Sequence, residues 1–181
     1  MLFEKEYSFR GIYAEKVVKL TAQFDEKSTS KLFSSNVNVY KTAPIVGFLY
    51  QRKPEFDKMM QGEKTTKIFP NELLNHLIDL KYSYQLIMLL DKKNEPFFDE
   101  RLNKAFRFYG NESEQTLADE QLFESYVRGG VDVLYEKLIE NVVKPEDYIK
   151  YLYDFMEEFN ERYNAAVTSE DILDLCRLAR S

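Results

Sequence analysis

The amino-acid sequence predicts an all-α fold, in which a single helical domain of about seven to eight helices spans residues 1–181. Apolar residues recur at helical spacing along most of the chain, and no convincing run of alternating apolar and polar residues indicates a strand. Hydrophobic residues make up 44% of the 181 residues, which is enough for one sizeable core. The 14 phenylalanines and 13 tyrosines predict that this core is rich in aromatic rings.

The N-terminal half of the chain is predicted to contain two helices and a long loop. The first helical stripe runs from Phe9 to Phe24. The second helix carries Ala43 and Gly47, small residues four positions apart that allow another helix to approach closely. Pro44 lies between them, so this helix either begins near Pro44 or is kinked there. Residues 51–69 then lack a clean helical period and are predicted to form a long loop.

The C-terminal half is predicted to be helical almost throughout. Pro70 suits the first turn of a central buried helix that continues to Leu90. Thr116 and Asp119 have the spacing of a capping box at the start of a further helix. Pro145 opens another long helix, and the capping box at residues 168–171 opens a short final helix.

The paired glycines Gly129 and Gly130 lie between two helical patterns. Apolar residues before and after them each follow the helical period, and glycine adopts positive φ without steric strain. The pattern therefore predicts a helix that stops, turns within these two residues and restarts at a new angle.

Charge and cysteine content restrict the class of protein. The formal net charge is −6, and an acidic chain is a poor general binder of nucleic acid unless it carries a local basic patch. One cysteine allows no internal disulfide, which fits a reducing compartment. The charged N-terminus lacks the apolar core of a signal peptide, and no apolar run is long enough to span a bilayer. We therefore expect a cytoplasmic protein.

Residues suited to catalysis or metal binding are scarce. His76 is the single histidine and lies on the flank of an apolar stripe, and Cys176 lies on the apolar face of the final predicted helix. One cysteine and one histidine make a zinc site implausible, and no phosphate-binding glycine motif is present. We expect no cofactor, no metal and no enzymatic activity. An enzyme with a carboxylate-based site is the alternative, and it requires a deep pocket with at least two acidic side chains of perturbed pKa.

Two stretches of the chain are locally basic. Residues 51–67 and residues 92–109 each carry an excess of two positive charges, although the whole chain is acidic. If they meet in space, they form a docking surface for DNA or for an acidic partner. The other interpretation is an ordinary surface of mixed charge. The adjacent aromatic residues Phe97 and Phe98 are likewise expected either to line an interface or to be buried under a neighbouring helix.

Two segments of the chain carry a family resemblance. Residues 39–53 (VYKTAPIVGFLYQRK) and residues 123–131 (FESYVRGGV) resemble segments of small accessory proteins associated with bacterial Dnd-type DNA phosphorothioation and phage-defence clusters. The resemblance implies a non-enzymatic, accessory component of a DNA-modification or defence system. It identifies no catalytic residue.

Together these observations predict a non-enzymatic accessory or regulatory protein that binds protein partners. A DNA-binding module that uses basic stretches 52–67 and 92–107 is an alternative, as is an enzyme with an unrecognised carboxylate site. No membrane association is expected. The candidate contact residues are Arg52, Lys53, Lys58, Lys64, Lys67, Arg128, Gly129 and Gly130.

Overall fold

The computed structural model describes residues 2–27, 29–55, 62, 64–111 and 113–163 of the chain. A short π-helical turn, Asn103–Arg107, follows the fifth α-helix. The strands and α-helices are, in chain order, β1 (Tyr7–Arg10), α1 (Ile12–Leu20), α2 (Asn36–Leu49), β2 (Thr65–Ile68), α3 (Pro70–Asn75), α4 (Leu77–Leu90), α5 (Phe98–Leu102), α6 (Glu114–Leu138) and α7 (Pro145–Tyr163).

The described residues are mostly helical, as predicted, but the fold is not strictly all-α. Strands β1 and β2 form a two-stranded antiparallel sheet in which Tyr7 lies opposite Ile68 and Arg10 lies opposite Thr65. Each strand has four residues, which is too short for an alternating pattern to stand out in the sequence. Strand β2 therefore lies inside the segment 51–69 that was predicted to be a loop.

Helices α2 and α6 make the most extensive helix–helix contact among the described residues, and small residues allow their backbones to touch. A Cβ atom added to Gly47 of α2 would overlap the carbonyl oxygen of Tyr126 in α6. A Cβ atom added to Gly130 would overlap the carbonyl oxygen of Ala43 in α2. The prediction that Ala43 and Gly47 permit close helix packing is thus confirmed.

The predicted turn at Gly129 and Gly130 is wrong. Helix α6 runs without interruption from Glu114 to Leu138, and both glycines are buried inside it. A Cβ atom on Gly129 would overlap the carbonyl of Arg52, three residues after the end of α2 at Leu49. The glycines are therefore explained by the space that α2 occupies, because any side chain at these positions would push the two backbones apart.

Prolines mark helix boundaries at two positions and lie inside a helix at a third. Pro70 and Pro145 begin α3 and α7, as predicted. Pro44, however, lies inside α2, which extends on both sides of it from Asn36 to Leu49. The predicted central helix from Pro70 to Leu90 is divided at His76, which ends α3 and precedes α4.

The core is built largely from aromatic rings, as the composition predicted. Tyr40, Tyr84 and Phe123 are fully buried and belong to one cluster with Phe3 and Phe9. The rings of Tyr84 and Phe123 have centroids 5.5 Å apart, and those of Phe3 and Phe123 lie edge to face at 5.7 Å. Such arrangements add about 0.5–1.5 kcal/mol per pair to the free energy gained by burial.

No helix within the described ranges combines the length and apolarity needed to cross a membrane. The final helix predicted after residue 168, with Cys176 on its apolar face, lies outside the described residues.

Substitution Gly130→Ala tests the tight contact between α2 and α6. Helix propensity alone would make this change stabilising by about 1 kcal/mol. Because the new Cβ overlaps the backbone of Ala43, we instead expect the free energy of unfolding to fall by at least about 2 kcal/mol. Urea denaturation measures the difference. The control Leu117→Ala, at a residue of the same helix that is 59% exposed, should change the value by less than about 0.5 kcal/mol. A more stable Gly130→Ala variant would contradict the close crossing.

Candidate functional site

A polar cavity of about 830 Å³ lies along one side of helix α6. The residues that line it recur on α6 at the spacing of one helical face, from Gln115 to Arg128. The opposite wall is formed by the segment after α2, the turn after α4 and the π-helical turn. We call this space the polar cavity; its lining includes the charged or amide side chains of Lys53, Asn94, Lys104, Asp119, Glu124 and Arg128.

Asp119 is a buried carboxylate in the lining of this cavity, only 2% exposed. Its Oδ1 oxygen accepts a hydrogen bond from Nε2 of Gln115 at 3.0 Å and lies 3.8 Å from Nζ of Lys104. Its Oδ2 oxygen has no hydrogen-bond donor. Burial raises the pKa of Asp119, although the Gln115 hydrogen bond and the Lys104 charge oppose the shift.

Lys104 is shared between two carboxylates. Its Nζ lies 3.3 Å from Oε2 of Glu95 as well as 3.8 Å from Asp119. Glu95 belongs to the turn after α4, which Arg101 holds by donating from Nη1 to the backbone oxygens of Glu95 and Pro96. The buried guanidinium of Arg101 also donates to the last turn of α4, at the oxygen of Leu89. The position of Glu95 is therefore set by hydrogen bonds from a buried guanidinium.

Glu124 is the second carboxylate of the polar cavity, and two tyrosines hold it. The hydroxyl of Tyr7 donates to Oε2 at 2.7 Å, and that of Tyr40 donates to Oε1 at 2.9 Å. Burial raises the pKa of Glu124, while the two hydroxyls and the positive charge of Arg128 oppose the rise. Glu124 thereby ties strand β1 and helix α2 to helix α6.

The polar cavity holds two acidic side chains whose pKa values are raised, which is one part of what the carboxylate-enzyme alternative requires. The two carboxylates differ in availability. Both oxygens of Glu124 accept hydrogen bonds from tyrosines, whereas Asp119 retains one oxygen without a donor. Within the described part of the chain, no group of three or more histidine, cysteine, aspartate or glutamate residues is placed to hold a metal ion.

The predicted contact residues do not form one surface. Lys53 and Arg128 line the polar cavity. Arg52 makes a two-point ion pair with Glu136, with 2.6 Å between Nη2 and Oε1. The remaining cations are Lys64 and Lys67, which pair with Glu15 and Glu6 at 2.9 and 2.8 Å, and Lys58, which lies outside the described residues.

Gly129 is buried against Arg52, and Gly130 is buried against Ala43 of α2, so neither glycine is part of a contact surface. The prediction that they are contact residues is therefore wrong, because the opposing backbone occupies the space beside them. Their function in the structure is to bring Arg52 and Lys53 close to α6 by admitting the end of α2.

The two basic stretches do meet in space. Lys53 of the first stretch donates to Oδ1 of Asn94 at 3.3 Å, and it shares the polar cavity with Lys104 of the second. However, Lys104 lies between carboxylates, and the guanidinium of Arg101 binds backbone carbonyls. Arg52, Lys64 and Lys67 of the first stretch also form ion pairs. The two stretches are therefore mixed in charge rather than strongly positive.

His76 lies at the boundary between α3 and α4, whereas its position in the sequence had placed it within one continuous helix. Its Nδ1 is 3.3 Å from Nζ of Lys41, and the same Lys41 pairs with Asp79 at 2.7 Å. These three residues tie the start of α4 to α2.

A second concave surface is apolar. It has a volume of about 460 Å³ and lies where α2, α4 and α7 meet. The side chains at its edges are well exposed, with Tyr82 at 65% and Met156 at 61%. We call this surface the α4–α7 groove; it is lined chiefly by Ile45, Val46, Tyr82, Phe155, Met156 and Phe159.

Phe97 and Phe98 are exposed at the start of α5, at 70% and 58%. Of the two interpretations left open by the sequence, burial under a neighbouring helix does not hold within the described residues. Leu102 and Phe106 continue the same apolar exposure along the following turns. This aromatic surface therefore remains available for contact with another molecule.

Asp119 was not among the predicted site residues, because its spacing from Thr116 resembles a capping box. The cap of α6 is Ser113, whose Oγ accepts a hydrogen bond from the backbone N–H of Thr116. Asp119 is therefore inside the helix and faces neighbours that are distant in sequence. An acidic residue at a buried helical position is a usable signal, but it becomes visible only once the start of the helix is known.

Comparison of the chain with family models, with curated proteins and with solved structures finds no match. The arrangement of residues in the structure is therefore the basis for the functional proposals.

Substitution Asp119→Asn tests the buried charge through its pH dependence. The pKa of Asp119 in the folded protein lies above its ordinary value of 3.8, so the folded state binds more protons than the unfolded state between those values. Ionisation of Asp119 thus lowers the free energy of unfolding as pH rises through this window. The variant lacks this loss, so its free energy of unfolding relative to the unchanged protein should increase with pH.

Denaturant titrations of both proteins from pH 4 upward measure this difference. The control Asp99→Asn changes an exposed aspartate and should change the free energy of unfolding by less than about 0.5 kcal/mol. A flat or falling difference for Asp119→Asn would show that the Asp119 carboxylate is not desolvated by the fold.

Proposed function

We propose that this protein is a non-enzymatic accessory component that binds a partner protein through the α4–α7 groove. The observation that carries the proposal is the exposed apolar lining of this groove. The resemblance of residues 39–53 and 123–131 to proteins of phosphorothioation and phage-defence clusters suggests the setting. In this proposal the partner is a subunit of a bacterial DNA-modification or defence assembly.

The shape and lining of the groove suit an amphipathic helix of the partner. Its walls are helices α2, α4 and α7, and a helix laid between them would bury apolar residues spaced at i, i+3, i+4 and i+7. Ile78, 86% exposed, lies one helical turn before Tyr82 on α4 and extends the apolar rim. A surface of this kind is expected at a protein interface, because isolated proteins seldom expose contiguous apolar side chains.

Charges at one end of the groove give the partner a preferred direction. Lys41 and Asp79 form an ion pair at 2.7 Å and are also part of the lining. Polar residues at the rim of an interface contribute more to orientation than to affinity. We therefore expect a partner helix with apolar residues at its centre and polar residues at the end that meets Lys41 and Asp79.

Purification of the tagged full chain from its host tests this proposal, using the double substitution Ile78→Lys and Met156→Lys. Both residues are at least 61% exposed, so the change should leave the fold intact while placing two charges on the rim. We expect the unchanged protein to recover DNA-modification or nuclease subunits stoichiometrically and the double variant to lose them. Mass spectrometry of the recovered proteins, followed by binding of the purified partner, measures the effect.

The matched control is Val143→Lys, which changes a residue that is 91% exposed and lies outside the groove. It should recover the same subunits as the unchanged protein. Equal recovery by the double variant would exclude the groove as the contact surface. Recovery of the protein alone in every case would count against an accessory role.

A DNA-binding module is a second candidate, supported by the contact between the two basic stretches at Lys53 and Asn94. Affinity for duplex DNA should then weaken by at least about tenfold between 50 and 200 mM salt, because phosphate contacts release counterions. Fluorescence anisotropy with a labelled duplex measures it. Lys104, Arg52, Lys64 and Lys67 already contact carboxylates, which opposes phosphate binding. Absence of binding at 50 mM salt would eliminate this candidate.

An enzyme with a carboxylate site is the third candidate, supported by Asp119 and Glu124 in the polar cavity. Carboxyl groups of raised pKa are used in general acid–base chemistry, and burial raises the pKa of both. The proposal of an accessory protein is preferred because the tyrosine hydroxyls occupy both oxygens of Glu124.

A further inference from the structure

We propose that the protein forms a symmetric dimer, in which the apolar surface of α5 and the following π-helical turn packs antiparallel against the same surface of a second copy. This inference goes beyond the proposed function, because the surface shares no residue with the α4–α7 groove. We call this surface the α5 face; it consists of Phe97, Phe98, Leu102 and Phe106, which are 42–70% exposed.

The first argument is the alignment of three side chains of the α5 face. Phe98, Leu102 and Phe106 follow one another at intervals of four residues. In a regular α-helix, two such steps would rotate Phe106 away from Phe98 by about 80°. The π-helical turn Asn103–Arg107 takes more residues per turn. One α turn and one π turn together take about eight residues, so Phe98, Leu102 and Phe106 form one straight stripe.

The second argument is the charge beside the stripe, which is complementary to itself in an antiparallel arrangement. Asp99 and Arg107 each directly follow a phenylalanine of the stripe, so they lie on the same flank at opposite ends. Both side chains are exposed, and none of the ion pairs among the described residues includes either of them. In a two-fold antiparallel pairing, Asp99 of each copy lies beside Arg107 of the other. A parallel two-fold pairing would place the two flanks on opposite sides and leave both charges unpaired.

One register suits the apolar and the charged residues together. When Leu102 lies at the two-fold axis, Phe98 faces Phe106 of the second copy, because both are four residues from Leu102. In this register Asp99 and Arg107 of the second copy are offset by about 3 Å along the helix axis, which a long arginine side chain spans. Each contact of a two-fold interface occurs twice, so the dimer would contain two aromatic pairs and two ion pairs.

The third argument is the size and the order of the α5 face. With about 200 Å² for a phenylalanine side chain, the face presents on the order of 400 Å² of apolar surface per copy. Apolar atoms make up roughly 60% of an interface. Burial of this surface in two copies therefore corresponds to an interface on the order of 1,400 Å², within the range of about 1,200–2,000 Å² for stable complexes.

The start of the α5 face is held in place before any pairing. The buried guanidinium of Arg101 donates to three backbone oxygens that precede α5, and it lies 5.7 Å from the centre of the Phe98 ring. Pairing therefore orders little additional chain, which favours association.

Sedimentation equilibrium of the full chain, at concentrations from about 1 to about 300 μM, tests this inference. We expect reversible association of monomer to dimer with a dissociation constant below about 100 μM. Phe106→Lys places a charge in the stripe at two symmetry-related positions and should raise the dissociation constant at least about tenfold. The matched control, Val143→Lys, changes an exposed residue outside the α5 face and should leave the dissociation constant unchanged.

Exchange of the two charges tests the antiparallel arrangement. Asp99→Arg alone and Arg107→Asp alone should each raise the dissociation constant at least about fivefold, because each creates two repulsive pairs. The double variant should restore the dissociation constant to within about twofold of the unchanged protein. Within one copy the two residues are eight positions apart, about 10 Å along the helix, so restoration requires contact between copies. The pairs form only in the dimer, so the stability of the dilute monomer should not depend on them.

Three outcomes would overturn the inference. They are a monomer at every concentration, a folded Phe106→Lys variant that associates as tightly as the unchanged protein, and a double charge exchange that associates no more tightly than the single variants. The groove variant with Ile78→Lys and Met156→Lys should dimerise normally, and Phe106→Lys should still recover the partner subunits. The two proposals therefore fail separately.

Discussion

The contact between the backbones of α2 and α6 is the constraint on which the rest of the structure depends. Gly47, Gly129 and Gly130 have no side chains, and at each position a Cβ atom would overlap the opposing backbone. Close approach of the two helices gives many van der Waals contacts. The attraction energy of each contact is small, but their sum is large. Because α6 is the longest helix described, this crossing fixes an axis against which the other elements are placed.

Buried polar contacts then fix the remaining elements to α6. Lys16 of α1 pairs with the buried Asp132, and the Tyr126 hydroxyl donates to the buried Asp91 at the end of α4 at 2.7 Å. Glu124 accepts hydrogen bonds from tyrosine hydroxyls of both β1 and α2. A buried polar group without a partner is strongly destabilising, so each of these contacts also specifies which elements may pack together.

The polar cavity is a consequence of this architecture. The crossing brings the segment after α2 alongside α6, while Arg101 holds the turn after α4 through backbone carbonyls. The walls are therefore set by contacts outside the cavity itself, which allows Asp119 to keep an oxygen without a donor. The α4–α7 groove arises separately, where α7 leaves apolar side chains of α2 and α4 exposed.

The sequence by itself determined the helical character, the aromatic core, the helix starts at Pro70 and Pro145 and the close approach at Ala43 and Gly47. These features depend on local propensity, on periodicity and on residue size, all of which are written along the chain. Only the tertiary structure decided that Gly129 and Gly130 continue a helix, because glycine suits both a turn and a tight crossing. The β1–β2 sheet, the burial of Asp119 and the ion pairs of the predicted basic residues were decided there as well. Each depends on partners far away in sequence, and no local pattern specifies which partner a residue meets.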